Sequence, residues 1–195
     1  MVDLDPVPSA GRDLDPRVER SRRVIMRAAL DLLSETGYGG LTIEAVAARA
    51  GVGKSTIYRH WPGKLELVED AICTLKAQLG RPSGGCTRER VIHLLRQAAS
   101  SVADSTWSSC LPAIIDAAQR DPELRAIHRR MTMERRQFLI DVLAEGVERG
   151  EISPDRDLAL LADCLIGPIM VRRLLLHEPF DPDAVPALVD QLLPQ

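Results

Sequence analysis

An all-α chain of about nine helices is what this sequence predicts, and three observations predict it. Apolar residues recur at helical spacing along most of the chain, and no useful run of period-2 alternation interrupts them. Hydrophobic residues make up 45% of the 195 but aromatics only 3%, so the core is built from Leu, Ala, Val and Ile, which suit helices better than sheets. Helix starts and stops fall between the apolar stripes, as capping Thr and Asp residues, Asp-Pro pairs and glycine turns.

Residues 1–16 hold three prolines and four aspartates without apolar periodicity and are expected to form a disordered acidic arm. Ile25, Ala28, Ala29, Leu32 and Leu33 mark an amphipathic first helix from Arg17 to Thr36, ended by Gly37-Tyr38-Gly39-Gly40. Thr42 suits the N-cap of a second helix, with Ile43, Val46, Ala47 and Ala50 as its apolar face. Gly51 stands where a helix end favours a left-handed residue, and Gly51-Val52-Gly53 makes a short turn. In the third helix Ile57 and Trp61 lie one turn apart and anchor a polar face. Pro62 precedes a fourth helix carrying Leu65, Val68, Ala71, Ile72 and Leu75.

Gly80-Arg81-Pro82-Ser83-Gly84-Gly85 reads as a linker, dividing a unit at 17–80 from one at 81–195. Val91, Leu94, Leu95, Ala98 and Val102 define a fifth helix, and Leu111, Ile114, Ile115 and Ala118 a sixth. Asp121-Pro122-Glu123 starts a seventh, whose stripe of Leu124, Ile127, Met131, Phe138 and Val142 ends near Gly150. The stretch from Asp155 to Leu176 is strongly apolar, with Gly167-Pro168 expected to kink it. Pro179 to Pro182 turns into a last helix bearing Val185, Leu188, Val189 and Leu192.

The net charge of −3 is unevenly spread: −3 over residues 1–16, +3 over 17–80 and −3 over 81–195. The positive excess coincides with the polar third helix, where Lys54, Ser55, Thr56, Tyr58, Arg59 and His60 fall within seven residues. A short anchored helix with that face suits the major groove of DNA. Cys73, Cys86, Cys110 and Cys164 lack C-x-x-C spacing and are expected as buried free thiols, with a redox-sensing pair as the alternative. His93 and His128 have no ligand-spaced partner, so no metal and no cofactor is expected. Glycine-rich phosphate loops, nucleophile elbows and zinc-protease motifs are missing, which argues against an enzyme. No apolar stretch is long enough for a membrane span and no leader is visible, so a cytoplasmic protein is expected.

Arg23-x-Ile25-x-x-Ala28-Ala29-x-x-Leu32-Leu33-x-x-x-Gly37-Tyr38, then Thr42 onward through Ala47, Gly51-Val52, Thr56-Ile57-Tyr58, Trp61-Pro62 and Lys64, resembles the helix-turn-helix region of TetR-type bacterial transcriptional regulators. The resemblance covers roughly residues 17–75. Two positions depart from the pattern: Gly53 stands where Ser usually caps the third helix, and Trp61 replaces the commoner Phe. Leu111-Pro112-Ala113, Asp121-Pro122-Glu123-Leu124, Arg149-Gly150-Glu151 and Gly167-Pro168 are similar, more loosely, to the C-terminal part of one TetR subgroup. The resemblance implies a homodimeric, ligand-released repressor bound to a pseudo-palindromic operator in double-stranded DNA. The alternative is an architectural DNA-binding protein without an effector, which the acidic 81–195 segment disfavours.

Lys54, Tyr58, His60 and Lys64 match positions that hold phosphates in that family, a role suited to cations and hydrogen-bond donors near helix ends. Ser55, Thr56 and Arg59 are expected at base edges, Arg59 because a guanidinium can pair with guanine through two hydrogen bonds. Thr42 either holds a phosphate or only caps its helix. In the family the last two helices pack with their two-fold mates as a four-helix bundle. This implies an interface through Leu158, Leu161, Leu165, Ile166, Ile169, Leu188, Val189 and Leu192, with Arg172 and Arg173 meeting carboxylates at its rim. The resemblance also implies a pocket for a small apolar or amphipathic effector after the linker. Trp107, Ile114, Met131, Phe138 and Met170 are the candidates for its walls. Glu134 and Arg135 interrupt the apolar stripe, either to greet a polar group of that ligand or as a surface ion pair.

Overall fold

The computed structural model describes residues 16–74, 84–103 and 106–193, with the side chains of 16, 17, 106 and 107 excepted. The arm over 1–16 thus lies outside the described residues save Pro16, and so do Leu75 and most of the linker. Nine α-helices and no strand occur among the described residues. They are α1 (Pro16–Gly40), α2 (Ile43–Ala50), α3 (Lys54–His60), α4 (Lys64–Thr74), α5 (Thr87–Ala103), α6 (Thr106–Arg120), α7 (Pro122–Glu148), α8 (Leu158–Leu174) and α9 (Val185–Leu192).

Local chemistry sets the ends. The Thr42 side chain accepts from the Ala45 N–H at 3.1 Å, satisfying a donor that the first turn of α2 leaves free. Gly51 closes α2 at φ 68° and ψ 33°, a left-handed conformation that costs a Cβ-bearing residue about 1 kcal/mol or more. Gly53 precedes α3 without a side-chain cap. Asp121 caps α7 through Glu123 and Leu124 N–H, and Asp157 caps α8 through Leu160 N–H. The glycine cluster at 37–40 does not simply end α1. Gly37, at φ 69°, kinks the helix, which resumes for one more turn to Gly40. Pro168 lies inside α8, which runs through it as one helix.

Helices α1–α4 share a core in which Ile25, Leu41, Val46, Ile57, Leu67 and Val68 are wholly or almost wholly buried. Helices α5–α9 share a second set, including Leu95, Leu124, Leu143, Leu165, Ile169 and Val189. The two are continuous, because α1 packs along α6 and lies against α4. At that seam the buried Cys110 thiol donates to the Leu30 carbonyl at 3.3 Å, and Arg130 of α7 pairs with Glu69 of α4.

Gly146 lets the end of α7 touch the start of α5. A Cβ there would stand 2.6 Å from Thr87 Oγ1, 2.8 Å from Thr87 Cγ2 and 3.0 Å from Ile152 Cδ1. Thr87 is itself held by its N–H, which donates to Glu151 at 2.5 Å. Gly146→Val is therefore expected to lower unfolding stability by about 1–3 kcal/mol through overpacking. An unchanged urea midpoint would show that Thr87 moves aside freely.

Three expectations are corrected. Only Cys110 is a buried thiol, its pKa pushed up to about 11 chiefly by desolvation; Cys73 is half-buried and Cys86 and Cys164 are exposed. Leu161, Leu165, Ile169 and Val189 are 0–4% exposed within the single chain, so they complete its own core and have no surface to offer a second copy. Leu158, Ile166, Leu188 and Leu192 are half-buried against the same core. Arg172 and Arg173 find partners within the chain, Arg172 at Glu178 (2.6 Å) and Arg173 at the Ser108 hydroxyl (2.7 Å) and carbonyl (3.0 Å). Arg172 thus reaches the loop after α8, and Arg173 reaches the start of α6.

Candidate nucleic-acid interface

The short α3 turns Ile57 inward, with Trp61 buried just beyond its end, and leaves Lys54, Ser55, Tyr58 and Arg59 exposed. Positions 54, 55, 58 and 59 repeat at helical spacing and so lie on one outward face. Thr56 and His60 flank that face and are half-buried. Tyr58 is a large side chain 53% exposed, a placement that nothing in the chain's own packing requires.

Trp61 fixes the orientation of α3. Its indole N–H donates to Asp70 Oδ2 at 2.9 Å, and Arg22 of α1 pairs with the same oxygen at 2.5 Å. The Arg22 guanidinium also lies 5.2 Å from the Trp61 ring centroid. One carboxylate on α4 thus ties the end of α3 to α1. Sequence reasoning missed Asp70 and Arg22 as positioning residues, although a signal was present: a buried Trp, unlike Phe, needs an acceptor for its N–H.

The two lysines of the region are partnered. Lys54 Nζ pairs with Glu44 at 2.9 Å, joining the starts of α3 and α2, and this hydrogen bond raises its pKa. Lys64 Nζ donates to the Tyr38 carbonyl at 2.6 Å and stands 4.0 Å from the centroid of the Tyr38 ring. Burial lowers the Lys64 pKa, against an opposing pull from Asp121. Burial also lowers the His60 pKa, aided by Arg22 and Arg59, so at neutral pH this ring offers an N–H rather than a charge. Thr42 is exposed beside these residues as the cap of α2.

A second concavity lies between α5, α6, α7 and α8, with a cavity volume of about 300 Å³. Phe138 and Met170 line it. Ile114 and Met131 do not; both are 3% exposed and belong to the core beside it. The Trp107 side chain lies outside the described residues. Most of the wall is aliphatic, and His128, Thr132, Arg135, Arg136 and Asp163 supply its polar part. Arg135 is half-buried at the edge of this cavity. No group of metal-ligating side chains occurs among the described residues, nor any helix long and apolar enough to cross a membrane.

Residues 81–192 match the family described as tetracyclin repressor-like, C-terminal domain, and residues 25–71 match bacterial regulatory proteins, tetR family. The chain belongs to the TetR family. The HTH-type transcriptional regulator Rv1556 of Mycobacterium tuberculosis is 33% identical to this TetR-family chain over 187 residues, covering 94% of it and 92% of the relative. The DNA-binding transcriptional repressor TetR of Mycobacteroides abscessus is 29% identical over 183 residues, covering 91% and 94% respectively. The crystal structure of the TetR family transcription regulator SCO0332 superposes with a TM-score of 0.67 at 33% identity, covering 89% of this chain and 97% of that one. The protein is a TetR-family helix-turn-helix transcriptional regulator, and its relatives are regulators rather than enzymes.

Proposed function

We propose that this regulator is a homodimeric repressor that leaves a pseudo-palindromic operator when an apolar or amphipathic molecule fills the cavity of α5–α8. The observation that carries the reading is the outward face of α3, rigidly held by the Trp61–Asp70–Arg22 contact and adjacent to the capped start of α2. Ser55, Thr56 and Arg59 are assigned to base edges; Lys54, Tyr58, His60, Lys64 and Thr42 to phosphates. Lys54 and Lys64 would exchange their present partners for phosphate oxygens. Repression is favoured by the name of the Mycobacteroides abscessus relative.

One α3 spans only a few base pairs, so specific binding calls for two heads. The surface for pairing is on α8. Leu160, Cys164, Val171 and Leu175 are exposed and fall along one face of that helix and its cap, with Leu160 60% and Leu175 71% accessible. Apolar side chains that open in a row mark an interface rather than scatter. Residues 17–80 would form the reading unit and 81–195 the effector and dimerisation unit.

The helices that enclose the cavity also touch the reading half. Leu111 and Ile115 of α6 line the cavity, Leu111 directly after Cys110 and Ile115 within a turn and a half of it, and Cys110 holds Leu30 of α1. His128 and Thr132 of α7 flank Arg130, which holds Glu69 of α4. A ligand that shifts α6 or α7 would change the spacing of the two heads.

Selection from random DNA followed by footprinting tests the proposal. The expected footprint is two-fold symmetric, with half-sites about one helical turn or a small multiple apart. Arg59→Ala is expected to cost about 1–3 kcal/mol on the selected operator and to relax preference at one base pair. Equal weakening on all sequences would reassign Arg59 to phosphate. A footprint on a single asymmetric half-site would remove the dimer reading.

A further inference from the structure

The reading surface sets an acid against one of its own cations. Glu44 lies in the first turn of α2, just after the Thr42 cap, and its Oε1 accepts from Nζ of Lys54, the first residue of α3, at 2.9 Å. Their side chains are 63% and 55% exposed, so the core requires neither. Each keeps the other charged: the hydrogen bond from Lys54, followed by one from its own backbone, lowers the Glu44 pKa, as the same bond raises that of Lys54. Lys64 differs, since a carbonyl and an aromatic ring hold it and leave its charge in place. The Glu44–Lys54 pair therefore cancels one positive charge on the face assigned to phosphates.

We propose that Glu44 is a specificity-determining residue, which withholds Lys54 from the phosphates of non-operator DNA and releases it only when α3 is seated on the operator. This rests on the assignment of the α3 face to DNA. Binding without sequence preference is made of phosphate contacts, each of which releases a counterion. Drawing Lys54 to a phosphate leaves Glu44 uncompensated beside that same phosphate. The exchange therefore gains little where the protein rests loosely on the backbone. On the operator, Ser55, Thr56 and Arg59 hold α3 in the groove and fix a phosphate against Lys54. There the exchange is favourable, and the Glu44 carboxylate turns to the water that it already faces.

Fluorescence anisotropy over a series of salt concentrations tests this on the full chain, with the selected operator and a random-sequence duplex of equal length. Glu44→Gln keeps the size of an exposed side chain and removes its charge. It is expected to raise affinity for the random duplex roughly fivefold to tenfold at about 0.1 M salt, and to steepen the salt slope there by about one, as for one added phosphate contact. Operator affinity should rise no more than about twofold, with its slope unchanged. Combining Glu44→Gln with Lys54→Ala should abolish the gain on the random duplex. A gain that survives in the double variant, or equal gains on both duplexes, would make Glu44 a plain repulsive charge. Unchanged affinity for the random duplex would show that Lys54 is not withheld. Each of these results overturns the inference and leaves the reading face standing. If Lys54→Ala alters binding to neither duplex, Lys54 does not meet DNA, and that assignment falls together with this inference.

Discussion

Leu160→Asp is expected to convert the protein into a folded monomer that no longer holds its operator. Leu160 is 60% exposed in the single chain, so the change costs the monomer only about 0.5 kcal/mol or less. In a dimer paired across α8 the same carboxylate would be desolvated without a partner. That raises the dimer dissociation constant by roughly a thousandfold, the effect of several kcal/mol. Operator affinity should fall far more than affinity for one half-site, because the second head loses its effective concentration. Leu188→Asp is a poorer probe, since Leu188 is half-buried against the chain's own core and its loss would mix folding with pairing. Sedimentation and operator binding decide the matter. A fully dimeric Leu160→Asp variant with unchanged operator affinity would place the interface elsewhere.

Trp61→Ala is expected to have a similarly large effect, by a different route. Trp61 is 3% exposed, and removing a buried aromatic of this size costs about 3–5 kcal/mol. The Asp70 oxygen would lose the indole N–H as well, leaving α3 without its fixed contact to α4. Operator binding should disappear with a partial loss of helical signal, and helices α5–α9 should retain theirs. Trp61→Phe keeps an aromatic ring but deletes the hydrogen bond and part of the buried ring volume, for an expected cost of about 1–3 kcal/mol. A Trp61→Ala variant with an unchanged urea midpoint and full operator binding would show that the contact does not fix α3.

The reading half was legible because its determinants are local. Thr42 and Gly51 specify the two ends of α2 through their own chemistry, and Ile57 and Trp61 leave one way to turn α3 inward. The Gly37 kink was less so: the glycines announce a break, but the further turn to Gly40 depends on what the chain packs against afterwards. Helix α8 defeated periodicity for a physical reason. It is apolar nearly all round, with Leu161, Leu165 and Ile169 buried on one side and Leu160 and Val171 exposed on the other, and such a pattern does not say which face the chain keeps for itself. The cavity is a property of four helices together. Ile114 and Met131 have the same composition as a pocket wall, yet sit just outside it, a difference of rotation that no local pattern encodes.

Gly146 has a mechanical consequence at the other end of its helix. Close contact with Thr87 would make this end of α7 a pivot, because the two helices would have little slack there to slide. Arg130, which grips α4, lies about 24 Å along the helix from that pivot. A tilt of about 5° at the pivot would carry Arg130 roughly 2 Å, enough to break an ion pair whose hydrogen bonds span about 3 Å. The residue without a side chain would then set the length of the lever arm, and small displacements inside the protein would reach its surface multiplied.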